Sequence, residues 1–253
     1  GLPVMIAEIT LGRRAKSNPI SALQTLAPKG QPWWLIGAFG MLAAFLIMSF
    51  YSEVVAWVFA YILKAIDGSI LSSDPSVTGA AFGALISDPL QSLLWQWGVL
   101  IFIGGILLCG VSKGIEAVTK KLMPLLFLLL LMLCAVSLSL EKASEGLAFL
   151  FQPDFSKITG SVVLMAMGLA FFSLSVGAGC MLAYGSYLGP GVRLANASLW
   201  IVGLTTLTSI LAGLMIFPAI AAFGLDAAAG PGLTYMTMPV VFNHLPFGQW
   251  FAV

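Results

Sequence analysis

Hydroxyl and glycine residues interrupt one of the long apolar segments of this chain. The sequence AFFSLSVGAG, which begins at Ala170, carries the hydroxyls of Ser173 and Ser175 and the glycines Gly177 and Gly179. Each glycine lowers helix propensity by about 1 kcal/mol relative to alanine. Unwound backbone in hydrocarbon is tolerated only where it lines a cavity, and broken helix ends can there present carbonyls to cations and amides to anions. A small-residue face that packs against another helix would use the same residues, so both interpretations stay open.

Two carboxylates and a tyrosine also lie in apolar sequence. Glu8 interrupts GLPVMIAEITLG, and Glu53 follows Tyr51 in MSFYSEVVAW. A carboxylate inside a membrane is costly unless it is paired, protonated or hydrogen-bonded. We expect Glu8 to support a neighbouring broken helix rather than to bind an ion directly. On spacing alone, Tyr51 is interpreted as a packed aromatic residue rather than a ligand.

Several function classes have no support in the sequence. The chain has no GxxxxGK[ST] or GxGxxG motif, so no nucleotide site is predicted. The serines in the apolar segments have no His or Lys base beside them, and we expect no enzymatic activity. The three cysteines have no CxxC spacing and are interpreted as buried thiols. With a net charge of +1, the chain has no overall basic character that would suit nucleic acid.

The composition places the chain in a lipid bilayer. It is 60% hydrophobic and only 8% charged, whereas a soluble domain is typically about one quarter charged. A membrane span needs roughly 20 mostly apolar residues. We therefore predict an all-α polytopic membrane protein with six transmembrane helices. The six segments are Leu2–Leu11 with a semi-polar continuation to Leu23, Trp33–Ala65, Leu93–Val111, Ile115–Leu140, Val162–Tyr187 and Leu194–Phe223.

Basic residues predict the orientation of these spans. If the loop GRRAKSN is cytoplasmic, eight of the Lys and Arg residues lie inside and three outside, as the positive-inside rule requires. The first residue is then on the extracytoplasmic side of the inner (plasma) membrane. We expect residues 1–253 to form a single transmembrane domain and to be an internal fragment of a longer protein. The sequence does not determine the oligomeric state.

Six strings, in order, resemble the neurotransmitter:sodium symporter family, in its bacterial amino-acid transporter branch. They are GLPVMIAEITLGR, GVSKGIEAVTKKLMPLLF, FLFQPDFSKI, FFSLSVGAG followed by AYGSY, LAGLMIFPA and GPGLTYMTMP. The resemblance covers essentially the whole chain. It implies the leucine-transporter-like fold of two inverted five-helix repeats, of which this chain holds helices two to seven, with helix six unwound near residues 173–179. Helix one, which shares the substrate site with helix six, and the helices from eight onward would be missing, so the fragment alone should not transport.

The resemblance also implies roles for individual residues. Tyr51 corresponds to the tyrosine that holds the substrate carboxylate, and Ile47 to a wall of the side-chain pocket. Phe172 corresponds to the aromatic lid over the substrate, and Ser173 to a hydroxyl of the first sodium site. The carbonyls of Phe172, Ser173 and Ser175 would face the substrate ammonium, which suits the negative end of a half-helix. Tyr187 corresponds to a tyrosine of the cytoplasmic gate, and Glu8 to a carboxylate that braces the unwound region of helix one.

Three positions depart from the family pattern or vary within it. Thr205 falls where Asn or Asp usually binds the first sodium, so it can offer only a hydroxyl. Ser209 resembles the chloride-associated serine of some members, which makes chloride use an open hypothesis. Ala178 stands where a bulky residue often closes the pocket, and the extra volume favours a hydrophobic or aromatic amino acid.

The resemblance therefore implies a sodium-coupled symporter of a neutral amino acid that works by alternating access. The alternative is a protein with the same fold that binds amino acids or partners as a sensor or scaffold without moving them. Thr205 is the residue that favours the alternative, because a threonine is a poorer sodium ligand than a carboxylate.

Overall fold

The computed structural model describes residues 1–67, 75–224, 235, 238–240 and 242. These residues are almost entirely helical. In chain order the helices are α1 (Leu2–Ala15), α2 (Pro19–Leu26), α3 (Trp34–Ile66), α4 (Pro75–Ser87), α5 (Pro89–Leu108), a π-helix (Val111–Glu116), α6 (Ala117–Leu138), α7 (Ala143–Phe151), a 3-10 turn (Phe155–Lys157), α8 (Gly160–Ser173), α9 (Cys180–Tyr187) and α10 (Leu194–Phe223).

Four helices of the described residues are long and apolar enough to cross a membrane: Trp34–Ile66, Pro89–Leu108, Gly114–Leu138 and Leu194–Phe223. They match four of the six predicted spans to within a few residues. The first predicted span is the 14-residue helix α1, which ends at Ala15. The fifth is divided into α8 and α9, so the predicted interruption of this span is confirmed.

Local sequence explains where the helices stop and start. Lys16 adopts a left-handed conformation with φ 52° and ends α1. Asn18 then caps α2 by accepting a hydrogen bond from the Ser21 N–H, and Pro19 occupies the first turn, where its missing N–H costs nothing. Asp88 caps α5 in the same manner, with Pro89 after it. The predicted semi-polar continuation of the first span is therefore a separate short helix.

The chain divides into two compact units. The first is formed by Gly1–Ser49 and Pro153–Thr208, and the second by Phe50–Gln152 and Ser209–Val253. The boundaries fall within α3 and α10, so each of these long helices contributes to both units. The single-domain assignment of residues 1–253 stays a prediction.

In the first unit, the backbones of α1 and α9 are in direct contact. A Cβ atom added to Gly12 would lie 1.9 Å from the Leu182 carbonyl oxygen, and one added to Gly185 would lie 2.5 Å from the Ile9 carbonyl oxygen. Only glycine permits so close an approach of two helices. The adjoining core contains the buried side chains Met5, Ile9, Leu174, Val176 and Leu194.

In the second unit, α6 supports α10 through hydrogen bonds to its carbonyls. The Ser137 hydroxyl donates to the Met215 carbonyl at 2.6 Å, and the Cys134 thiol donates to the Leu211 carbonyl at 3.0 Å. Pro218 lies inside α10 and has no N–H for the ladder. The carbonyl that Pro218 leaves without its helical donor is that of Leu214, so the Ser137 hydroxyl binds the neighbouring carbonyl rather than the one the proline frees.

A second cluster of this unit is aromatic. Trp57, Tyr61, Phe82 and Tyr235 contact one another, with Phe82 and Tyr235 stacked at 5.3 Å between ring centroids. The Tyr235 hydroxyl donates to the Val54 carbonyl of α3 at 2.9 Å. This cluster fixes α4 and residue 235 on the half of α3 that follows Tyr51.

Candidate functional site

The interruption between α8 and α9 is six residues long, from 174 to 179. Three of its residues have positive φ: Ser175 at 52°, Gly177 at 90° and Gly179 at 75°. Glycine accepts this conformation freely, but a serine in the left-handed region is strained and persists only where its surroundings hold it. Such strain is common at ligand sites, which makes this unwound segment the candidate site.

Glu8 of α1 holds the unwound segment directly. Its Oε1 atom accepts a hydrogen bond from the Gly177 N–H at 2.7 Å. A helix that breaks inside a membrane leaves such amide donors without partners, and a carboxylate satisfies one of them strongly. The second oxygen, Oε2, is buried and accepts no hydrogen bond from the described residues. The carboxylate is therefore available to one further donor or to a cation.

Side chains alternate along the broken segment. Leu174 and Val176 are buried in the core of the first unit, while Ser173, Ser175 and Gly177 are exposed between them. A turn produces this alternation: Leu174 keeps a right-handed conformation (φ −90°, ψ 0°) whereas Ser175 is left-handed (φ 52°), so the chain changes direction between them. The two serines predicted from the sequence thus share the outward side of the segment, which a continuous helix would not have allowed.

The carbonyl groups of the segment divide into used and unused acceptors. The Phe172 carbonyl accepts from the Ser175 N–H at 3.0 Å, and the Phe171 carbonyl accepts from the Val176 N–H at 3.0 Å. In the described part of the chain, no hydrogen bond uses the carbonyls of Ser173 or Ser175. The C-terminal end of α8 therefore offers oxygen acceptors together with the partial negative charge of the helix dipole.

Two contacts that the sequence did not predict also fix the segment. A Cβ added to Gly40 of α3 would lie 3.2 Å from the Ala178 carbonyl carbon and 3.3 Å from the Gly177 carbonyl oxygen. A Cβ added to Gly179 would lie 3.0 Å from the Pro19 ring. The only sequence signal for these contacts was a glycine inside a long apolar helix, which does not reveal its partner.

The other predicted site residues lie as follows. Ile47 follows Gly40 by seven residues and therefore shares its face of α3, and Tyr51 comes one turn later. Phe172 is half-exposed in the last turn of α8, and Tyr187 is exposed at the end of α9. Thr205 and Ser209 are one turn apart on α10.

Tyr51 belongs to the second unit, where Tyr235 is its neighbour. Burial raises the pKa of the Tyr235 hydroxyl to about 12, and the nearby Tyr51 hydroxyl adds to the rise. The Tyr235 hydroxyl is consequently protonated at physiological pH, and it donates its hydrogen bond to the Val54 carbonyl.

The candidate site presents oxygens and contains no cluster of transition-metal ligands. Within the described residues, no group of three or more His, Cys, Asp or Glu side chains could hold a metal ion. Carbonyls, hydroxyls and one carboxylate are suited instead to a hard monovalent cation or to an ammonium group. These are the groups that a broken membrane helix presents.

Comparison with known proteins places this arrangement in a family. The sequence profile of the sodium:neurotransmitter symporter family matches residues 86–253. Similar relatives include the uncharacterized sodium-dependent transporter YhdH of Bacillus subtilis, 38% identical over 100% of this chain and 56% of its own length. An uncharacterized sodium-dependent transporter of Haemophilus influenzae is 35% identical over 100% of this chain and 57% of its own length. The human sodium- and chloride-dependent GABA transporter 2 is 23% identical over 100% of this chain and 49% of its own length.

A solved structure shares the fold. The crystal structure of MhsT in complex with L-phenylalanine superimposes with a TM-score of 0.95 and 42% sequence identity, over 100% of this chain and 57% of MhsT. The chain belongs to the sodium:neurotransmitter symporter family, and its fold is part of the leucine-transporter-like fold. The predicted resemblance and fold class are confirmed, and the family is one of membrane transporters, not enzymes. The chain spans slightly more than half the length of these bacterial relatives and of MhsT.

Proposed function

We propose that the protein containing this chain is a sodium-coupled symporter of a neutral, hydrophobic or aromatic amino acid, working by alternating access. The observation that carries the proposal is the unwound segment 174–179, held by the Glu8 carboxylate with its outward serines and unused carbonyls. The amino-acid complex of MhsT, whose fold matches this chain with a TM-score of 0.95, supports the substrate class.

The substrate is bound at its two charged ends and along its side chain. The ammonium group lies at the carbonyl end of α8, where Phe172, Ser173 and Ser175 supply oxygens and the dipole is negative. Tyr51 donates its hydroxyl to the substrate carboxylate. Ile47 and Ala178 form walls of the side-chain pocket, and the small Ala178 leaves room for a large side chain.

The co-transported ion is sodium. Ser173 and Thr205 contribute hydroxyl oxygens to it, together with ligands from helices outside this chain. Supporting this assignment, the sodium-dependent transporters of B. subtilis and H. influenzae match the whole chain. Ser209 is proposed to contribute to chloride binding, as a serine rather than a carboxylate stands there.

Gating uses residues at the two ends of the broken helix. Phe172 closes over the substrate from the outer side, and Tyr187 belongs to the cytoplasmic gate. The basic loop at Arg13, Arg14 and Lys16 lies on the cytoplasmic side, which places Gly1 on the extracytoplasmic side of the inner membrane. Glu8 braces the unwound backbone, and its second oxygen accepts a donor from helix one.

Uptake measurements test the proposal. The full-length protein is reconstituted in proteoliposomes and supplied with labelled Leu, Trp, Tyr or Ala under inward sodium or potassium gradients. We expect accumulation above equilibrium with sodium, greatest for the larger side chains, and none with potassium. Equal uptake in the two gradients would contradict sodium coupling.

The second candidate is an amino-acid sensor or scaffold of the same fold. Thr205 favours it, because this position offers neither a carboxylate nor an amide to the first sodium. The same proteoliposomes separate the two functions. A sensor binds the amino acid, detected by equilibrium dialysis, without accumulating it under a sodium gradient.

A further inference from the structure

Two glycines fix the N-terminal part of α3 against the rest of the first unit. A Cβ added to Gly37 would lie 2.6 Å from the Pro19 carbonyl oxygen of α2, and one added to Gly40 would lie 3.2 Å from the Ala178 carbonyl carbon. Both glycines are buried. They are three residues apart and therefore lie on one face of the helix. This face of α3 contacts α2 at one point and the broken segment about one turn later.

Pro19 connects these two contacts. A Cβ added to Gly179 would lie 3.0 Å from the Pro19 Cγ atom, so the residue before α9 rests on the same proline that contacts Gly37. The helices α2 and α3 and the broken segment thus contact one another pairwise. All three contacts lie within the first unit. Together they fix the position of α3 along the broken segment.

The backbone of the broken segment is held from two helices. On one side, Glu8 of α1 accepts a hydrogen bond from the Gly177 N–H at 2.7 Å. On the other side, a Cβ added to Gly40 would lie 3.3 Å from the Gly177 carbonyl oxygen and 3.4 Å from the Gly179 nitrogen. Such separations are tight for a carbon atom, so a methyl group there would move α3 and the segment apart by a few tenths of an ångström.

This contact bears on the proposed side-chain pocket. Ala178 belongs to the backbone that Gly40 contacts, and Ile47 lies on the same face of α3 seven residues later, about 10 Å along the helix axis. Ala178 and Ile47 are the two proposed walls of the pocket. The distance between these walls therefore depends on how closely α3 approaches the broken segment at Gly40.

We propose that Gly40 is a positioning residue that sets the width of the side-chain pocket and thereby the size of the amino acid that the protein prefers. The inference rests on the proposed function, from which the two pocket walls are taken. Gly40 acts through the backbone of residues 177–179, which has no helical hydrogen-bond ladder and yields more readily than α3. Glycine at this position keeps the two walls at their closest approach, and a larger residue widens the pocket.

Gly40→Ala tests this role in the full-length protein. Its nearest contacts are at 3.2 Å and alanine is the better helix former, so the variant should fold. Equilibrium binding in sodium gives the dissociation constants of free tryptophan and free alanine. We expect the alanine constant divided by the tryptophan constant to rise about threefold or more, because one methylene group of misfit already changes discrimination by about tenfold or more. This direction is opposite to that expected for a larger residue at position 178.

Two other glycine substitutions separate positioning from general damage to the fold. Gly37→Ala meets the Pro19 backbone at 2.6 Å, so it should lower the melting temperature more than Gly40→Ala does. Its nearest atoms belong to α2, and we expect the ratio of constants to change less than about twofold. Gly203→Ala adds a Cβ with nothing within 4 Å and should leave the ratio unchanged. A substitution that only damaged the fold would weaken the binding of both amino acids equally.

A double variant provides an independent check. Ala178→Val narrows the pocket and should lower the ratio, and adding Gly40→Ala should restore it by about twofold or more, because both residues act on one gap. The proposal is overturned by an unchanged ratio in Gly40→Ala, by an equal change in Gly37→Ala, by no restoration in the double variant, or by unfolding of Gly40→Ala. In each of these cases, amino-acid binding by the unsubstituted protein would still support the proposed function. If the unsubstituted protein binds neither amino acid, the proposed function fails and this inference fails with it.

Discussion

At the scale of single residues, Glu8 is the group whose chemistry is most constrained. One carboxylate oxygen accepts from the Gly177 N–H at 2.7 Å, and the other is buried without a partner in the described part of the chain. A buried oxygen with no donor costs about 1–3 kcal/mol, so a fold that keeps it needs a donor or cation there. We therefore expect the carboxylate to connect the broken helix to a donor or cation that the described residues do not supply.

Glu8→Gln tests this connection. The glutamine oxygen can still accept from Gly177, but its amide nitrogen donates where Oε2 would accept. We expect a loss of stability of about 1–3 kcal/mol and a fall in sodium-driven uptake of at least about tenfold. Glu53→Gln is the control, because its oxygen can keep the bond from Trp57 Nε1. Equal effects of the two substitutions would show that an intramembrane carboxylate, rather than the Glu8 contact, is what matters.

Tyr51→Phe tests the proposed carboxylate contact. Loss of a hydroxyl that donates to a charged carboxylate should raise the substrate dissociation constant about tenfold or more. The same change at Tyr61 is a control on the same helix, since that hydroxyl is buried without a hydrogen bond in the described residues. Equilibrium binding of labelled amino acid measures both variants, and normal affinity in Tyr51→Phe would refute the carboxylate role.

Ala178→Phe tests the pocket wall. A larger residue should shift the substrate preference from Trp and Leu toward Ala. One methylene group changes the free-energy difference between two substrates by only about 1–3 kcal/mol, which limits the size of the shift. Because Gly40 packs against the Ala178 backbone, Ala178→Val serves as a milder variant that disturbs the fold less. Competition among labelled amino acids gives the ratio of uptake of Trp or Leu to uptake of Ala directly. An unchanged ratio in both variants, with uptake retained, means that Ala178 does not line the pocket.

At the scale of elements, the contact between α1 and α9 depends on glycine. A Cβ at Gly12 would lie 1.9 Å from the Leu182 carbonyl oxygen, so Gly12→Ala must push the helices apart. We expect a cost of about 1–3 kcal/mol, as for an overpacked core, seen as a lower melting temperature. Gly203→Ala in α10 is the matched control, because an added Cβ there meets nothing within 4 Å. That variant should be neutral or slightly more stable, since alanine is the better helix former.

The elements also show how far the sequence predicts structure. Length and hydropathy predicted the four long helices. The serines and glycines near 173–179 left the break open, and the resemblance of FFSLSVGAG to an unwound family helix predicted it. The C-terminal end of α1 and the helices α4 and α7 were not predicted: α1 stops at Lys16 through backbone conformation, and α4 and α7 lie between the predicted spans. The sequence did not mark Gly12, Gly40 or Gly185 as sites of close helix contact, because such a contact depends on the residue opposite each glycine.

At the scale of the whole molecule, charge compensation is the constraint that the proposed transport cycle must meet. The segment from 155 to 225, which contains α8, α9 and α10, has no Asp or Glu at all. A sodium ion bound near Ser173 and Thr205 would therefore find no carboxylate on these helices. An unbalanced cation in a low-dielectric site is costly, and a bound anion removes that cost.

We therefore expect sodium-driven uptake to fall when chloride is replaced by gluconate, which is too large to occupy a small anion site. Ser209→Glu should remove the chloride requirement, because a carboxylate would supply the missing negative charge one turn from Thr205. Ser209→Gln, of similar size and no charge, is the control and should not rescue uptake in gluconate. Uptake by the unsubstituted protein that is equal in chloride and gluconate would mean that the compensating charge comes from helices outside this chain. Among the described residues, Glu8 is the one carboxylate of the first unit that contacts the broken helix. Ion binding would then depend on which group its second oxygen contacts.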